Sequence, residues 1–504
     1  MHPDHGSRVE TAVRPAVLPT IRRMPPSLID RADCALGDAL ERAMCAHHRR
    51  RLRRVGWDHA LAAPGAGWAR GGEPPRDGNS IEVLIDGETA LPMIAAAIAA
   101  ARSHVHIAGW CVTPEFALTP GPDPTILREL LADTADRVPV RVLLWGGAPL
   151  PTYPVSRRVV RGIRDELCRG NAIACALDTH ERPMHCHHEK LVIVDDELAF
   201  VGGIDLTSFD GNRFDRPGHP ARGSLGWHDV ATLLRGPIVA DVARHFALRW
   251  RESADEQLPP ARVPAAAGNE QLQIVRTVPE KIYRALPRGE FSILASYAGA
   301  LRSAEHLIYL ENQFLWSPEI VEILREKLRN PPSERFRLLV VLPAKPNSGA
   351  DDTIGQLGLL ADADDGAGRM LACTKYALGE GTTDRVYVHA KVGLVDDRWL
   401  TIGSANLNEH SLFNDSEMNV VSHSSELARS TRLRLWAEHL DCPADELEGD
   451  PATVIDERWR PLASEQLERR KAGSPLTHGL VKLPHVSRRS KRLLGPLQSL
   501  VVDG

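Results

Sequence analysis

Two of the nine lysines in this 504-residue chain stand two places after a histidine, inside the same eight-residue pattern. His188-x-Lys190-x4-Asp195 recurs as His389-x-Lys391-x4-Asp396, and each copy is followed by a small pair and a polar residue: Gly202-Gly203 and Asp205, then Gly403-Ser404 and Asn406. The stretches after the lysines, LVIVDD and VGLVDD, are β-prone, so His and Lys at i and i+2 project from one face of one strand. Brought together, two imidazoles and two ammonium groups suit a phosphodiester anion and the extra charge of its transition state. A neutral imidazole can attack phosphorus while the opposite imidazolium protonates the leaving oxygen, then takes a proton from an incoming water or alcohol. An unperturbed imidazole pKa of about 6.5 allows both parts near neutrality. This chemistry calls for no metal ion and no cofactor. Asp195 and Asp396 complete the pattern and count among its candidate catalytic residues. Each also opens an Asp-Asp turn, where organising a hairpin is the more ordinary task. The glycines let a backbone approach closely, either to a phosphate or to the other copy.

The elements that must position these residues are also duplicated. Two Pro/Gly-rich breaks, Ala63 to Gly78 and Leu258 to Glu270, punctuate the chain. After the first come IEVLIDG (Ile81 to Gly87), an apolar helical stretch to Arg102, SHVHIAGWCV (Ser103 to Val112) and VRVLLWG (Val140 to Gly146). After the second come QLQIVRT (Gln271 to Thr277), GEFSILASYAGALRSA (Gly289 to Ala304), EHLIYLENQF (Glu305 to Phe314) and FRLLVVLP (Phe336 to Pro343). Strands alternating with helical patterns predict α/β layers with buried sheets, and the order is kept twice, the two histidines lying 201 residues apart. The expected organisation is an N-terminal extension over 1–78, with a helix over about Leu28 to Arg54 and a linker; repeat one over 79–257; a linker over 258–270; repeat two over 271–450; and a C-terminal tail over 451–504.

Composition narrows the function classes. Hydrophobic residues at 43% and charged residues at 25% support a sizeable core. A net charge of −5 argues against a protein that blankets nucleic acid. Eight scattered cysteines without CxxC pairs make neither a disulfide scaffold nor a structural zinc site. In the run His185-Cys186-His187-His188, Cys186 shares a strand face with His188 while His185 and His187 point away, so no metal site is expected there. The N-terminus lacks a signal-peptide core and the longest apolar stretch, Leu91 to Ala101, is too short for a span. A cytoplasmic protein is expected. The basic runs at His47 to Arg54 and Ser487 to Leu494 read either as solvated ends or as handles for an anionic membrane surface.

Beyond the two motifs, the stretches IAGW (Ile107 to Trp110), GWHDVATLLRGPIV (Gly226 to Val239), FALRW (Phe246 to Trp250), IYLENQF (Ile308 to Phe314) and GSANLNEHSLFNDSEMN (Gly403 to Asn419) resemble those of two-motif members of the phospholipase D superfamily. The resemblance covers roughly residues 80 to 450. It implies a duplicated α-β-α sandwich whose pseudo-two-fold-related domains share one active site. It also implies a metal-independent, two-step reaction through a phosphohistidine. Matched by position, His188 becomes the nucleophile and His389 the acid/base, with the reverse assignment open; Lys190 and Lys391 become phosphate clamps; Asp229 and Glu417 orient the histidines. Asn406 falls at a phosphate-contacting amide, where repeat one carries Asp205. Gly203 and Ser404 are candidate substrate contacts, though Ser404 could equally finish its turn. Glu311, Asn312 and Gln313 serve the pocket or cap a strand end; Trp227 lines the pocket or the core; Trp110 is expected in the core. The implied substrate is a phospholipid, with water or an alcohol as acceptor. Alternatives are a cardiolipin-synthase-like phosphatidyltransferase and a nucleic-acid phosphodiesterase.

Overall fold

A computed structural model describes residues 28–484 except 64, 66, 152, 183–184, 210–214, 216–217 and 346–349. The basic cluster at Ser487 to Leu494 therefore lies outside the described residues. Helix α1 (Leu28–Val55) leads into the first half: β1 (Arg76–Ile85), α2 (Asp86–Ala99), β2 (Val105–Gly109), α3 (Leu127–Ala135), β3 (Val140–Trp145), α4 (Arg157–Leu167), β4 (Ala174–Asp178), β5 (Leu191–Val194), β6 (Leu198–Gly202), β7 (Gly226–His228), β8 (Val230–Arg235) and α5 (Val239–Ala254). The second half runs β9 (Glu270–Val278), β10 (Glu290–Phe291), α6 (Ser292–Ser303), β11 (Leu307–Glu311), α7 (Pro318–Arg329), β12 (Arg337–Val341), α8 (Ala350–Asp364), β13 (Met370–Gly379), β14 (Thr382–Val388), β15 (Val392–Val395), β16 (Trp399–Gly403), β17 (Glu417–Ser422) and α9 (Ser425–Leu440). Then follow α10 (Pro451–Val454), α11 (Arg460–Lys471) and β18 (Leu480–Lys482).

Each half builds the same mixed sheet. In the first, β4, β3 and β2 are parallel, and β2, β5, β6, β8 and β1 continue antiparallel. In the second, β13, β12 and β11 are parallel, and β11, β15, β16, β17 and β9 continue antiparallel. Strand alternation assigns side chains to layers. On β5, Leu191 and Ile193 enter the central core shared by both halves, while Val192 and Val194 pack in an outer core with α2 and α3. The second sheet likewise turns Val392 and Leu394 to the centre and Val395 outward, toward residues of α6 and α7. Apolar residues of α5 and α9, among them Phe246, Trp250, Leu435 and Trp436, fill the central core. The result is the duplicated α/β sandwich expected from the repeats.

Three differences from the sequence reading have physical causes. Strand β1 starts at Arg76, inside the expected linker, because Arg76 and Asn79 pair with β9 across a bulge. The stretch after residue 450, expected as a tail, is part of the fold: β18 extends the second sheet against β13, and Ile455, Trp459, Ala463 and Leu480 belong to the central core. A three-residue strand and isolated apolar residues leave too little periodicity to read. In the basic run of α1, His48 and Arg51 are buried. Arg51 donates to Glu280, to Asn414 Oδ1 and to the Phe413 carbonyl, and His48 contacts Glu319 and Glu409. For these two residues neither a solvated end nor a lipid handle applies; they dock α1 onto the second half.

Candidate active site

Both motif histidines enter the centre through a backbone exchange between the halves. The His188 amide donates to the Ser416 carbonyl at 2.9 Å and the His389 amide to the His228 carbonyl at 2.7 Å. The parallel pairing of β14 with β7 sets the second of these, aligning Val388 with His228. The acids that follow those carbonyls reach the same imidazoles. His188 Nδ1 lies 3.0 Å from Glu417 Oε1 and His389 Nδ1 lies 2.6 Å from Asp229 Oδ2. Each histidine is thus held by a carboxylate of the other half. The imidazole centroids are 6.5 Å apart. The carboxylate on Nδ1 fixes the tautomer of each ring and directs Nε2 to the opposite side of the imidazole.

The lysines fold back beside the histidines. Lys190 Nζ donates to the His188 carbonyl at 2.7 Å and pairs with Asp205 Oδ2 at 3.1 Å. Lys391 Nζ donates to the His389 carbonyl and to Gln313 Oε1, the latter at 3.2 Å, and Asn406 Nδ2 donates to the same Gln313 oxygen at 3.3 Å. Gln313 in turn donates to the Tyr387 hydroxyl. Trp227 stacks on Tyr387 and packs against His389 at centroid distances of 4.8 and 5.0 Å, forming one wall. Trp110 is in the core beside Trp145.

The small residues after each motif serve the acids. A Cβ on Gly203 would lie 2.1 Å from Asp229 Oδ1, so its absent side chain makes room for that carboxylate. Ser404, at the equivalent place, donates to Glu417 Oε2 at 2.5 Å and accepts from the Met418 amide. Ser411, on a π-helical turn over His410–Asn414, donates to Glu417 Oε1. Such turns recur at functional sites because they re-aim a side chain. Burial pushes the Glu417 carboxyl well above the usual range, opposed by nearby Lys190 and the two hydroxyls. Sequence reasoning missed Ser411, although it lies within the GSANLNEHSLFNDSEMN stretch.

Asp195 and Asp396, counted among the candidate catalytic residues, are not brought to the histidines. Asp195 accepts from the amides of Arg102, Ser103 and His104, and Asp396 from those of Glu305, His306 and Leu307. Each ties the far end of its motif hairpin to the start of a parallel strand. Asp195-Asp196 and Asp396-Asp397 all take positive φ, between 50° and 59°, a conformation that Asp tolerates better than most side chains. Glu311 contacts His228 and His439, and Asn312 accepts from the Phe314 and Leu407 amides.

A family model described as cardiolipin synthase, PLD-like domain, matches residues 299–436. Phospholipase D A of Dictyostelium discoideum is 28% identical over 469 residues, covering 73% of this chain and 36% of that protein. Phospholipase D1 of Schizosaccharomyces pombe is 25% identical over 504 residues, covering 74% and 36%. The chain thus spans about a third of the length of these two relatives. A solved phosphatidylserine synthase from Haemophilus influenzae Rd KW20 superposes with a TM-score of 0.50 at 11% identity, over 78% of this chain and 93% of that one, a likeness of fold. With paired motifs in matching sheets and these relatives across about three quarters of its length, the chain is similar to members of the phospholipase D superfamily.

Proposed function

We propose that the chain is a phosphodiesterase of phospholipase D type that cleaves the headgroup phosphodiester of glycerophospholipids, or passes the phosphatidyl group to an alcohol. The observation that carries this reading is the pair of imidazoles 6.5 Å apart, each held through Nδ1 by a carboxylate of the other half. His188 Nε2 attacks phosphorus, the bond from phosphorus to the headgroup oxygen breaks, and His389 gives its proton to that oxygen. Water or an alcohol then loses a proton to His389 as its oxygen attacks phosphorus, and the bond to His188 Nε2 breaks. The division of labour is supported by the acids. Two serine hydroxyls share the charge of Glu417, which favours a neutral, nucleophilic His188. The shorter contact of Asp229 favours a cationic His389. Lys190, Lys391 and Asn406 clamp the phosphate oxygens, with Gln313 aligning the last two. Asp195 and Asp396 act on the hairpins, Gly203 and Ser404 on the acids, and Asp205 on Lys190.

The test offers purified protein phosphatidylcholine, phosphatidylethanolamine and phosphatidylglycerol vesicles with ethanol, and labelled single-stranded DNA in parallel. Phosphatidic acid and phosphatidylethanol are expected; nucleotide release alone would overturn the lipid reading. Contact with anionic membrane surfaces from the cytoplasm belongs to the same proposal. Among the described residues no helix is long and apolar enough to cross a membrane.

A further inference from the structure

The corner where the loop after β3 enters α4 lies at the catalytic end of the first sheet. Strands β2, β3 and β4 are parallel, and β5 runs against β2 with Leu191 opposite Ala108. Because β5 starts directly after Lys190, the motif and the C-terminal ends of the parallel strands share one end of the sheet. The loop leaves β3 at that end. The Gly146 amide donates to the Asp178 carbonyl at 2.7 Å, and Asp178 Oδ1 lies 3.1 Å from Nε2 of His187, the neighbour of His188.

This corner is both apolar and basic, and neither character serves the fold. Among the described residues four large apolar side chains are exposed, and two of them, Leu150 (49%) and Val159 (37%), stand here. Pro149, Pro151 and Pro154 are exposed around Leu150; they restrict the loop's backbone, so Leu150 is presented at low entropic cost. Helix α4 buries Val160 and Leu167 in the outer core and leaves Arg157, Arg158 and Arg161 exposed. Arg157 reaches Glu181 at 3.4 Å but keeps 47% of its side chain exposed, and Arg161 donates only back to the Arg157 carbonyl. Cations in a first turn also oppose the helix macrodipole, so these arginines cost the helix stability. The repeat does not require them: α8, in the same place between β12 and β13, has no Lys or Arg and four Asp.

We propose that this corner docks on an anionic bilayer surface and turns the catalytic end of the molecule toward the lipid. Leu150 and Val159 enter the headgroup region, and Arg157, Arg158 and Arg161 meet lipid phosphates. The inference rests on the phospholipid reading above and adds to it the face by which the chain meets its substrate. Apolar side chains flanked by cations fit the interfacial zone, where the former leave water and each cation raises affinity about fivefold. A nucleic acid would match the arginines but leave Leu150 and Val159 in water, so a bilayer is the better occupant. The corner belongs to the first half, whereas α1 rests on the second.

The test is co-sedimentation of the full chain with vesicles of phosphatidylglycerol and phosphatidylcholine in equal parts. Arg158→Gln combined with Arg161→Gln should weaken binding by about tenfold to thirtyfold, and Leu150→Ser combined with Val159→Ser by at least about threefold. Both variants should keep the wild-type thermal midpoint and wild-type turnover of a soluble short-chain lipid. In the wild-type chain, amides in the first turn of α4 should exchange hydrogen more slowly on these vesicles than on neutral ones, a readout independent of any variant. Undiminished binding in both variants, unchanged exchange in α4, or an equal loss of short-chain turnover would overturn the docking face. So would binding to single-stranded DNA in preference to the vesicles. Vesicle binding with the expected losses, in a chain that cleaves no phospholipid, would uphold the face and overturn the activity reading instead.

Discussion

The two halves present the same atoms to the centre but surround them with different charge. In the first, Lys190 is paired with Asp205, and His188 is held by a carboxylate whose charge two hydroxyls share. In the second, Lys391 and Asn406 meet on the amide of Gln313, and His389 is held by Asp229 at 2.6 Å. Asp205 and Asn406 stand at the same place in the repeat, so one substitution separates the lysines electrostatically. At an effective dielectric of 20, a unit charge ~4 Å away is worth about 4 kcal/mol before desolvation. The duplication therefore kept the geometry and let the charge diverge. Under the proposed division of labour, the first half would be the nucleophile's side and the second would carry more of the phosphate's charge.

The largest effects test whether the two halves form one site. His188→Ala and His389→Ala should each lower turnover of a phospholipid by at least ~10²–10⁴-fold, the usual weight of a positioned acid or base. A variant that retained half the wild-type rate would mean two independent sites. The division of labour is read by acid quench: with a good leaving group, His389→Ala should still trap phosphate label on protein, and His188→Ala should not. Label in His188→Ala alone would exchange the roles.

The crossed acids come next. Asp229→Asn and Glu417→Gln keep shape but lose the charge that sets the tautomer, and each should cost ~10²–10³ in kcat with little change in KM. If each acid serves the histidine of the opposite half, Asp229→Asn combined with His389→Ala should be no worse than His389→Ala alone. Additive losses would separate Asp229 from His389.

Much of this arrangement is legible in the amino-acid sequence. The motif spacing, the repeated strand-helix-strand order and the downstream small residues all follow from periodicity and residue type. Which acid serves which histidine is not legible there, because that pairing depends on β14 meeting β7 and on Ser416 meeting His188, contacts between segments more than 150 residues apart. Arg51 and Arg50 read alike in a basic run, yet one is buried and the other exposed. Only the helix's docking on Glu280 distinguishes them. Ser411 escapes a sequence reading because a π turn shifts the phase by which a helical residue would be placed.

A charge swap sharpens the contrast between the lysines. Asp205→Asn should relieve Lys190 and lower KM for an anionic lipid by about threefold to tenfold, while Asn406→Asp should raise it by at least as much. Equal effects of the same sign would show that the halves see the phosphate alike. Ser404→Ala and Ser411→Ala test the hydroxyls on Glu417. The hydroxyls stabilise the carboxylate, so their loss moves an already raised pKa further up. Activity that needs the carboxylate is lost as pH falls through that pKa. The acidic limb of kcat/KM should therefore move to higher pH in each variant. A limb that stays in place in both variants would remove Glu417 from the pH profile.

The smallest effects concern α1, whose described side-chain contacts rest on the second half. Arg51→Gln leaves the buried Glu280 without its main partner and should cost about 3–5 kcal/mol of stability, read as a lower denaturant midpoint. Arg49, Arg50, Arg53 and Arg54 are exposed, and they are the residues of α1 left to meet a membrane once Arg51 is set aside. Replacing these four with Gln should leave turnover of a soluble short-chain lipid unchanged. Co-sedimentation with anionic vesicles should weaken, and so should its salt dependence, because screening contracts from ~10 Å at 0.1 M to ~3 Å at 1 M. Neutral vesicles should show no difference between variant and wild type. Anionic sedimentation that is unchanged in the four-residue variant would assign this face of α1 to solvent and leave the helix the single task of bracing the second half.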